Sequence, residues 1–214
     1  MGYGPAMNEP AHPTRRPGLE GYAAEAPALL RQYESISFAT LHGAFLDLLP
    51  PVPARVVDIG AGTGRDAAAL AAMGHQVLAV EPTAELRDGG AALHPDPHLA
   101  WLDDGLPDLP ALRAQGGRFD LMLLTAVWMH LDAMDRARAM PVLAALLAPG
   151  GQIWLSLRHG PVPPGRVMHA VAPAEVIAQA AGSGLALLRR KDDAEDLLGR
   201  AEVHWTRLAF ARPA

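Results

Sequence analysis

The stretch Val56-Val57-Asp58-Ile59-Gly60-Ala61-Gly62-Thr63-Gly64-Arg65-Asp66 constrains this chain more than any other. A short β-branched run ends in an acid, and glycine follows at every second position. Ala67 to Met73 then form an alanine-rich helix former closed by Gly74. The pattern predicts strand, tight turn and helix, the opening of a βαβ unit that binds a nucleotide-like ligand at the carboxyl end of its strand. Glycines admit positive φ and let ligand atoms approach the main chain without a Cβ in the way.

From that point hydrophobic strands alternate with helices. The spacing predicts strands at Arg55–Ile59, Gln76–Val80, Leu99–Leu102, Phe119–Leu124, Gln152–Leu157, Leu185–Arg190 and Val203–Ala211. Between them it predicts helices at Gly64–Met73, from Thr83 as cap to about Ala92, at Leu106–Ala114, at Asp132–Leu147 and at Pro173–Ala181. Pro149-Gly150-Gly151 is expected to stop the fourth of these. Such alternation gives an open α/β sheet with helices on both faces. Before the first strand, apolar residues recur at helical spacing from Tyr22 to Leu49, over two helices, with Ser35 or Ser37 as the cap of the second and Pro50-Pro51 as its end.

Residues 1–18 are rich in proline and glycine in a polar setting and are expected to be a flexible tail, with residues 19–214 forming one domain: a helical lid over 19–50 and an α/β core over 51–214. The tail holds no apolar run of signal-peptide length, and no run of about 18 apolar residues occurs anywhere, so a cytoplasmic protein with no membrane partner is expected. The chain has no cysteine, which excludes disulfides, thiolate metal sites and cysteine nucleophiles. No metal is expected from its nine histidines. A net charge of −5 and the lack of a basic strip interleaved with aromatics argue against nucleic acid as a partner.

A dinucleotide loop needs glycine at its first, third and sixth positions. Counting from Gly60 the sixth is Arg65, so the turn is not built for a pyrophosphate. No Gly-Lys-Ser/Thr follows either, which removes the phosphate-cradling P-loop.

Five segments in order resemble the class I S-adenosylmethionine-dependent methyltransferases. Asp58 to Gly64 looks like that family's first motif. Val77 to Pro82 is similar to its second strand, ending in an acid. Leu102-Asp103-Asp104-Gly105-Leu106-Pro107 resembles the segment that covers adenine. Phe119 to Thr125 followed by Trp128-Met129-His130-Leu131 resembles the fourth-strand motif, and Leu146 to Gly151 the turn before the fifth strand. The resemblance implies a doubly wound, Rossmann-like, mostly parallel sheet in the order 3-2-1-4-5-7-6, with the last strand antiparallel. It also implies S-adenosylmethionine as cofactor and S-adenosylhomocysteine as product.

On that resemblance Asp58, Gly60, Ala61, Gly62 and Gly64 cradle the cofactor, and Glu81 with Pro82 receives the ribose. Leu102 with Asp103 or Asp104 meets adenine, and Thr125 and Ala126 line the methionine arm. Asp66 reads as a partner of the first-turn helix dipole, and Trp101 as packing near adenine. Groups at strand carboxyl ends are the candidates for work on the acceptor. His130 is a base or a residue packing its loop; Arg158 and His159 bind an anion, supply a base or stay solvated; Tyr33 folds over the cofactor or packs its helix. Trp128, Met129, Arg158 and His159 are expected to shape the acceptor pocket. A small-molecule acceptor methylated at O, N or S is the expectation, in a monomer or homodimer. The alternatives are a macromolecular acceptor, protein or RNA, and a non-catalytic cofactor-binding or interaction protein.

Overall fold

A computed structural model describes residues 19 and 21–214. The tail expected over residues 1–18 lies outside them. Seven strands form one sheet: β1 (Arg55–Ile59), β2 (Gln76–Val80), β3 (Leu99–Leu102), β4 (Phe119–Leu124), β5 (Leu147–His159), β6 (Ala186–Glu195) and β7 (His204–Ala211). Their order is β3-β2-β1-β4-β5-β7-β6, with β7 antiparallel to both of its neighbours. The helices are α1 (Tyr22–Glu34), α2 (Phe38–His42), α3 (Arg65–Ala72), α4 (Ala84–Leu93), α5 (Pro110–Gln115), α6 (Ala133–Leu146) and α7 (Pro173–Gly182).

The period-2 alternation of the central strands divides the core in two. Val57, Ile59, Met122, Leu124, Ile153 and Leu155 face one side, where they meet Leu112 of α5, Met140 and Leu143 of α6, and Val176 of α7. Val56, Leu121, Leu123 and Trp154 face the other, against Phe38 of α2, Phe45, and Ala67 and Leu70 of α3. Strands covered on both faces are expected to read as continuous apolar runs. The exception in β4, Asp120, accepts the Arg55 amide at 2.8 Å and so finishes the edge of β1.

Ser37 caps α2 by accepting the Thr40 amide at 3.1 Å, which resolves the choice between it and Ser35. Asp132 caps α6 through the Asp135 amide at 2.8 Å. Thr83 stands at the N-cap of α4, but its side chain makes no cap bond. The helix expected over Leu106–Ala114 is shorter and later, because two prolines keep the chain out of helix until Pro110 occupies the first turn.

Three boundaries at β5 and β6 move outward. Helix α6 ends at Leu146 and β5 begins at the next residue, so Pro149-Gly150-Gly151 falls inside the strand as an irregularity against β4. At its other end β5 runs two residues beyond Leu157. β6 continues to Glu195 through a bulge, a register shift between Lys191 and Ala194 with Asp193 at φ +49°. Among the described residues no helix is long and apolar enough to cross a membrane.

Candidate active site

The carboxyl ends of β1, β2, β4 and β5 open on one cavity of about 230 Å³. Tyr22 and Tyr33 of α1, Leu41 of α2 and Ile36 between them line it from one side, and residues between Glu195 and Arg200 from another.

The floor is the glycine turn. Gly60, Gly62 and Gly64 have φ of +71°, +58° and +81°, all in the left-handed region where a side chain is strained. The amides of Gly60 and Ala61 both donate to the Val80 carbonyl, at 2.8 and 3.0 Å, which fastens the turn to the end of β2. Only the first two glycines line the cavity. A Cβ on Gly64 would come within 2.6 Å of the Trp101 ring, so this glycine serves helix–strand packing rather than the ligand face. Trp101, expected near adenine, lies beneath the turn and outside the cavity wall.

Glu81 is 5 % exposed at the end of β2. Its Oε2 accepts the Gly62 amide and its Oε1 the Thr83 amide, each at 2.8 Å. Burial pushes its carboxyl up, against the pull of those two amides. Asp58, at the end of β1, is 2 % exposed, and burial together with the nearby Asp66 and Glu81 carboxylates pushes it well above the ordinary range. Asp66 accepts His42 Nε2 at 2.8 Å, Arg65 Nε at 2.8 Å and the Thr125 hydroxyl at 2.9 Å. These partners hold its carboxyl well below the usual range despite burial. Asp66 thus joins α2, α3 and the exit of β4 beneath the cavity, a larger role than a partner for the helix dipole.

Three of the residues expected at adenine lie outside the wall. Asp104 is buried with Oδ1 on the Gly105 amide and Oδ2 on the Leu112 amide, at 2.9 and 2.8 Å, so its carboxylate finishes the chain around α5. Asp103 is half exposed, 3.6 Å from Arg87, and Leu102 faces the core. The wall there consists of Gly105 and Leu106, next to Pro82 and Leu86. Thr125 and Ala126 do line the cavity, with Ala126 at φ +60° and its amide on the Ser156 hydroxyl at 2.8 Å.

After β4 a 3-10 turn, Trp128–His130, separates its side chains by about 120° each. Trp128 goes fully into the core with Nε1 unpaired, and so does not shape an acceptor pocket, whereas Met129 and His130 reach the cavity. His130 Nδ1 lies 2.9 Å from the Val167 carbonyl, which can only accept, so Nδ1 carries a proton and, in the neutral ring, Nε2 is the acceptor. The Tyr22 hydroxyl donates to that Nε2 at 3.1 Å. Burial raises the Tyr22 pKa well above its ordinary value and keeps the hydroxyl protonated. Tyr33 lies over Gly62, its ring 3.8 Å from where a Cβ would sit.

The pair at the end of β5 separates. Arg158 lines the cavity, but His159 does not; it stacks on His204 at 4.8 Å and bonds to the Thr206 hydroxyl at 3.0 Å. Because β5 extends through both residues, their side chains leave opposite faces of the sheet. Neither the catalytic nor the acceptor-binding role expected of His159 fits that position. His94 and His98 have a four-residue spacing, but Pro95 and Pro97 break the helix between them and they bond apart, to Glu34 and Gln76.

The segment joining β6 to β7 also reaches the cavity. It supplies Asp196, which receives Arg200 at 2.6 Å and Trp205 Nε1 at 3.0 Å; those contacts outweigh burial and bring its carboxyl down to about 2. The four-residue spacing of Asp196 and Arg200 signals their pairing, but not that the segment reaches the cavity.

The methyltransferase domain family matches this chain over residues 31–187. An uncharacterized methyltransferase of Mycobacterium tuberculosis is 33 % identical over 138 residues, covering 58 % of this chain and 53 % of that protein. The ubiquinone biosynthesis O-methyltransferase of Xanthomonas axonopodis pv. citri is 33 % identical over 132 residues, covering 61 % and 53 %. The chain therefore spans about half the length of the curated relatives it matches. A methyltransferase from Haloferax volcanii, solved in complex with the Trm112 activator, superimposes with a TM-score of 0.71 at 16 % identity, over 91 % of this chain and 99 % of that one. By its sequence match and by the strand order around its glycine turn, this chain belongs to the class I S-adenosylmethionine-dependent methyltransferase family.

Proposed function

We propose that this protein transfers a methyl group from S-adenosylmethionine to an O, N or S atom of a small-molecule acceptor. The observation that carries this reading is the charge of the cavity floor. Asp58, Asp66 and Glu81 gather below the glycine turn, and among the described residues only Asp66 makes a direct ion pair with an arginine, Arg65. A buried carboxyl pushed up by like charges is relieved when a cation binds beside it. S-adenosylmethionine brings a sulfonium and an ammonium, and its methyl group is activated for in-line displacement. Left-handed Gly60 and Gly62 leave its path along the main chain clear.

The chain's own contribution is then largely positional. Glu81 accepts ribose hydroxyls while its amide partners hold its orientation, and Thr125 and Ala126 flank the methionine arm. Where the acceptor must lose a proton, His130 Nε2 takes it, the Val167 carbonyl having fixed the tautomer. As the acceptor-to-methyl bond forms, the sulfur–methyl bond breaks and its electron pair stays on sulfur.

A small acceptor fits a cavity covered by α1 and by the segment around Asp196 better than a macromolecule does. The relative named as an O-methyltransferase of ubiquinone biosynthesis agrees with that size class. Calorimetry with S-adenosylmethionine, followed by a metabolite-extract screen with methyl-labelled cofactor, tests the reading. Heat of binding and one labelled small molecule are expected. No heat at millimolar cofactor overturns it, and label found only in protein or RNA overturns the acceptor class.

A further inference from the structure

Four arginines line the cavity, and their partners differ. Arg65 is held by Asp66 and Arg200 by Asp196. Arg207 donates to the Leu41 carbonyl. Arg158, only 8 % exposed, has no carboxylate partner among the described residues. Its Nη1 makes one long bond, 3.4 Å, to the Gly160 carbonyl, and its Nε–H is buried with no acceptor at all. A buried charged donor without a partner is costly and calls for a group that the protein itself does not supply.

The remaining edge has a defined shape. With Nη1 turned to Gly160, Nε–H and Nη2–H stand side by side without a protein acceptor among the described residues, the fork that matches both oxygens of a carboxylate. Arg207 adds a second cation on the neighbouring strand, diagonal to Arg158 in the β5–β7 register. Met129, Met168, Leu197, Leu198 and Trp205 supply an apolar lining for the body that carries the charge. Arg158 stands at the end of β5, two strands from the glycine turn, on the acceptor side rather than among the groups that hold the cofactor.

We propose that the methyl acceptor carries a carboxylate, received by the Nε–H and Nη2–H edge of Arg158 as an anchor while a different atom of the acceptor is methylated. A carboxylate that accepts both N–H bonds is held in place, and a different atom of the acceptor is left to react. This rests on the reading of the protein as a methyltransferase, which supplies the meaning of the acceptor side.

Benzoate and benzamide, equal in shape and different in charge, are the probes. Their affinities are measured by calorimetry or ligand-observed NMR on the full chain, alone and saturated with S-adenosylhomocysteine. Benzoate is expected to bind at least about tenfold more tightly than benzamide, and Arg158→Met to abolish the difference while leaving S-adenosylhomocysteine affinity within about twofold. The wild-type comparison needs no variant, so a misfolded Arg158→Met leaves the test intact. Equal affinity for the two probes, or binding of neither, overturns the proposal. A fall in S-adenosylhomocysteine affinity in Arg158→Met, with no change in benzoate preference, also overturns it by assigning the edge to the cofactor's own carboxylate. Failure of the wild-type protein to bind S-adenosylhomocysteine at all counts instead against the methyltransferase reading, and the probe comparison on the protein alone still decides the anion site.

Discussion

Oε2 of Glu81 accepts the amide of Gly62 at 2.8 Å, so the acid at the end of β2 and the turn after β1 are one unit. The same carboxylate holds the Thr83 amide with its other oxygen. Glu81 is therefore both the expected receiver of the ribose and a brace for the glycine turn.

Replacement by glutamine separates these roles. Glu81→Gln keeps a carbonyl for one amide but loses the charge that makes hydrogen bonds to ribose hydroxyls strong. S-adenosylmethionine affinity is expected to fall by about 1.5–3 kcal/mol, the range for a hydrogen bond to a charged group. Calorimetry on Glu81→Gln measures this, and unchanged affinity removes the ribose role. Thermal melting of the same variant reads the brace separately.

Asp58 should show the opposite relation between stability and binding. Its carboxyl is raised in the folded protein by burial and by neighbouring acids. The folded state then holds a proton that the unfolded state has released, so this group stabilises at low pH and the contribution is lost as pH rises through the folded pKa. Asp58→Asn is expected to raise the melting temperature of the ligand-free protein near neutral pH and to weaken S-adenosylmethionine at least about tenfold. A variant that melts lower and binds as well as the parent would refute the assignment. Calorimetry in two buffers of different ionisation enthalpy should also show proton release on cofactor binding to the parent.

Strand boundaries for β1, β2 and β3 were legible in sequence because each is a short, mostly apolar run closed by a glycine or an acid, and β4 because its apolar run ends at Thr125. The glycine turn, Glu81, Thr125, Ala126, Met129 and His130 all fall on the cavity for the same reason: a doubly wound sheet brings strand carboxyl ends together. What sequence could not show was the direction of side chains where a boundary was misjudged. Reading Arg158 and His159 as a loop pair joined two residues that a longer β5 sends to opposite faces. Asp103 and Asp104 are adjacent acids, and only the path of the chain into α5 shows that one is used up by backbone amides. The contribution of the segment around Asp196 depends on a long-range closure that no local pattern encodes.

Two glycines in helices should respond to alanine with opposite signs. Alanine is favoured over glycine in a helix by up to about 1 kcal/mol. At Gly182, the last residue of α7, a Cβ meets nothing within 4 Å, so Gly182→Ala is expected to be neutral or to stabilise by about 0.5 kcal/mol. At Gly90 in α4 a Cβ would stand 2.4 Å from the Trp101 ring and 2.6 Å from the Thr63 carbonyl. Gly90→Ala must push apart α4, β3 and the glycine turn and is expected to cost about 1–3 kcal/mol. Urea melts of both variants check the pair, and a stabilised Gly90→Ala would contradict the packing described for Trp101.

The last prediction concerns the proton. His130 has Nδ1 committed to the Val167 carbonyl and Nε2 shared with the Tyr22 hydroxyl. Tyr22 arrives from α1, 108 residues earlier, and Arg166 lies over its ring at 4.0 Å. An acceptor hydroxyl that takes the place of the Tyr22 hydroxyl finds Nε2 already oriented to receive its proton. With an acceptor from the labelling screen, His130→Ala at saturating cofactor is expected to lower the single-turnover rate by about 100-fold or more, the usual weight of a positioned base. Tyr22→Phe removes a competitor for Nε2 as well as a donor, so its rate should fall far less or not at all. Cofactor affinity should stay unchanged in both variants. If His130→Ala reacts as fast as the parent across the pH range, proton transfer belongs to solvent, and the cavity works by positioning alone.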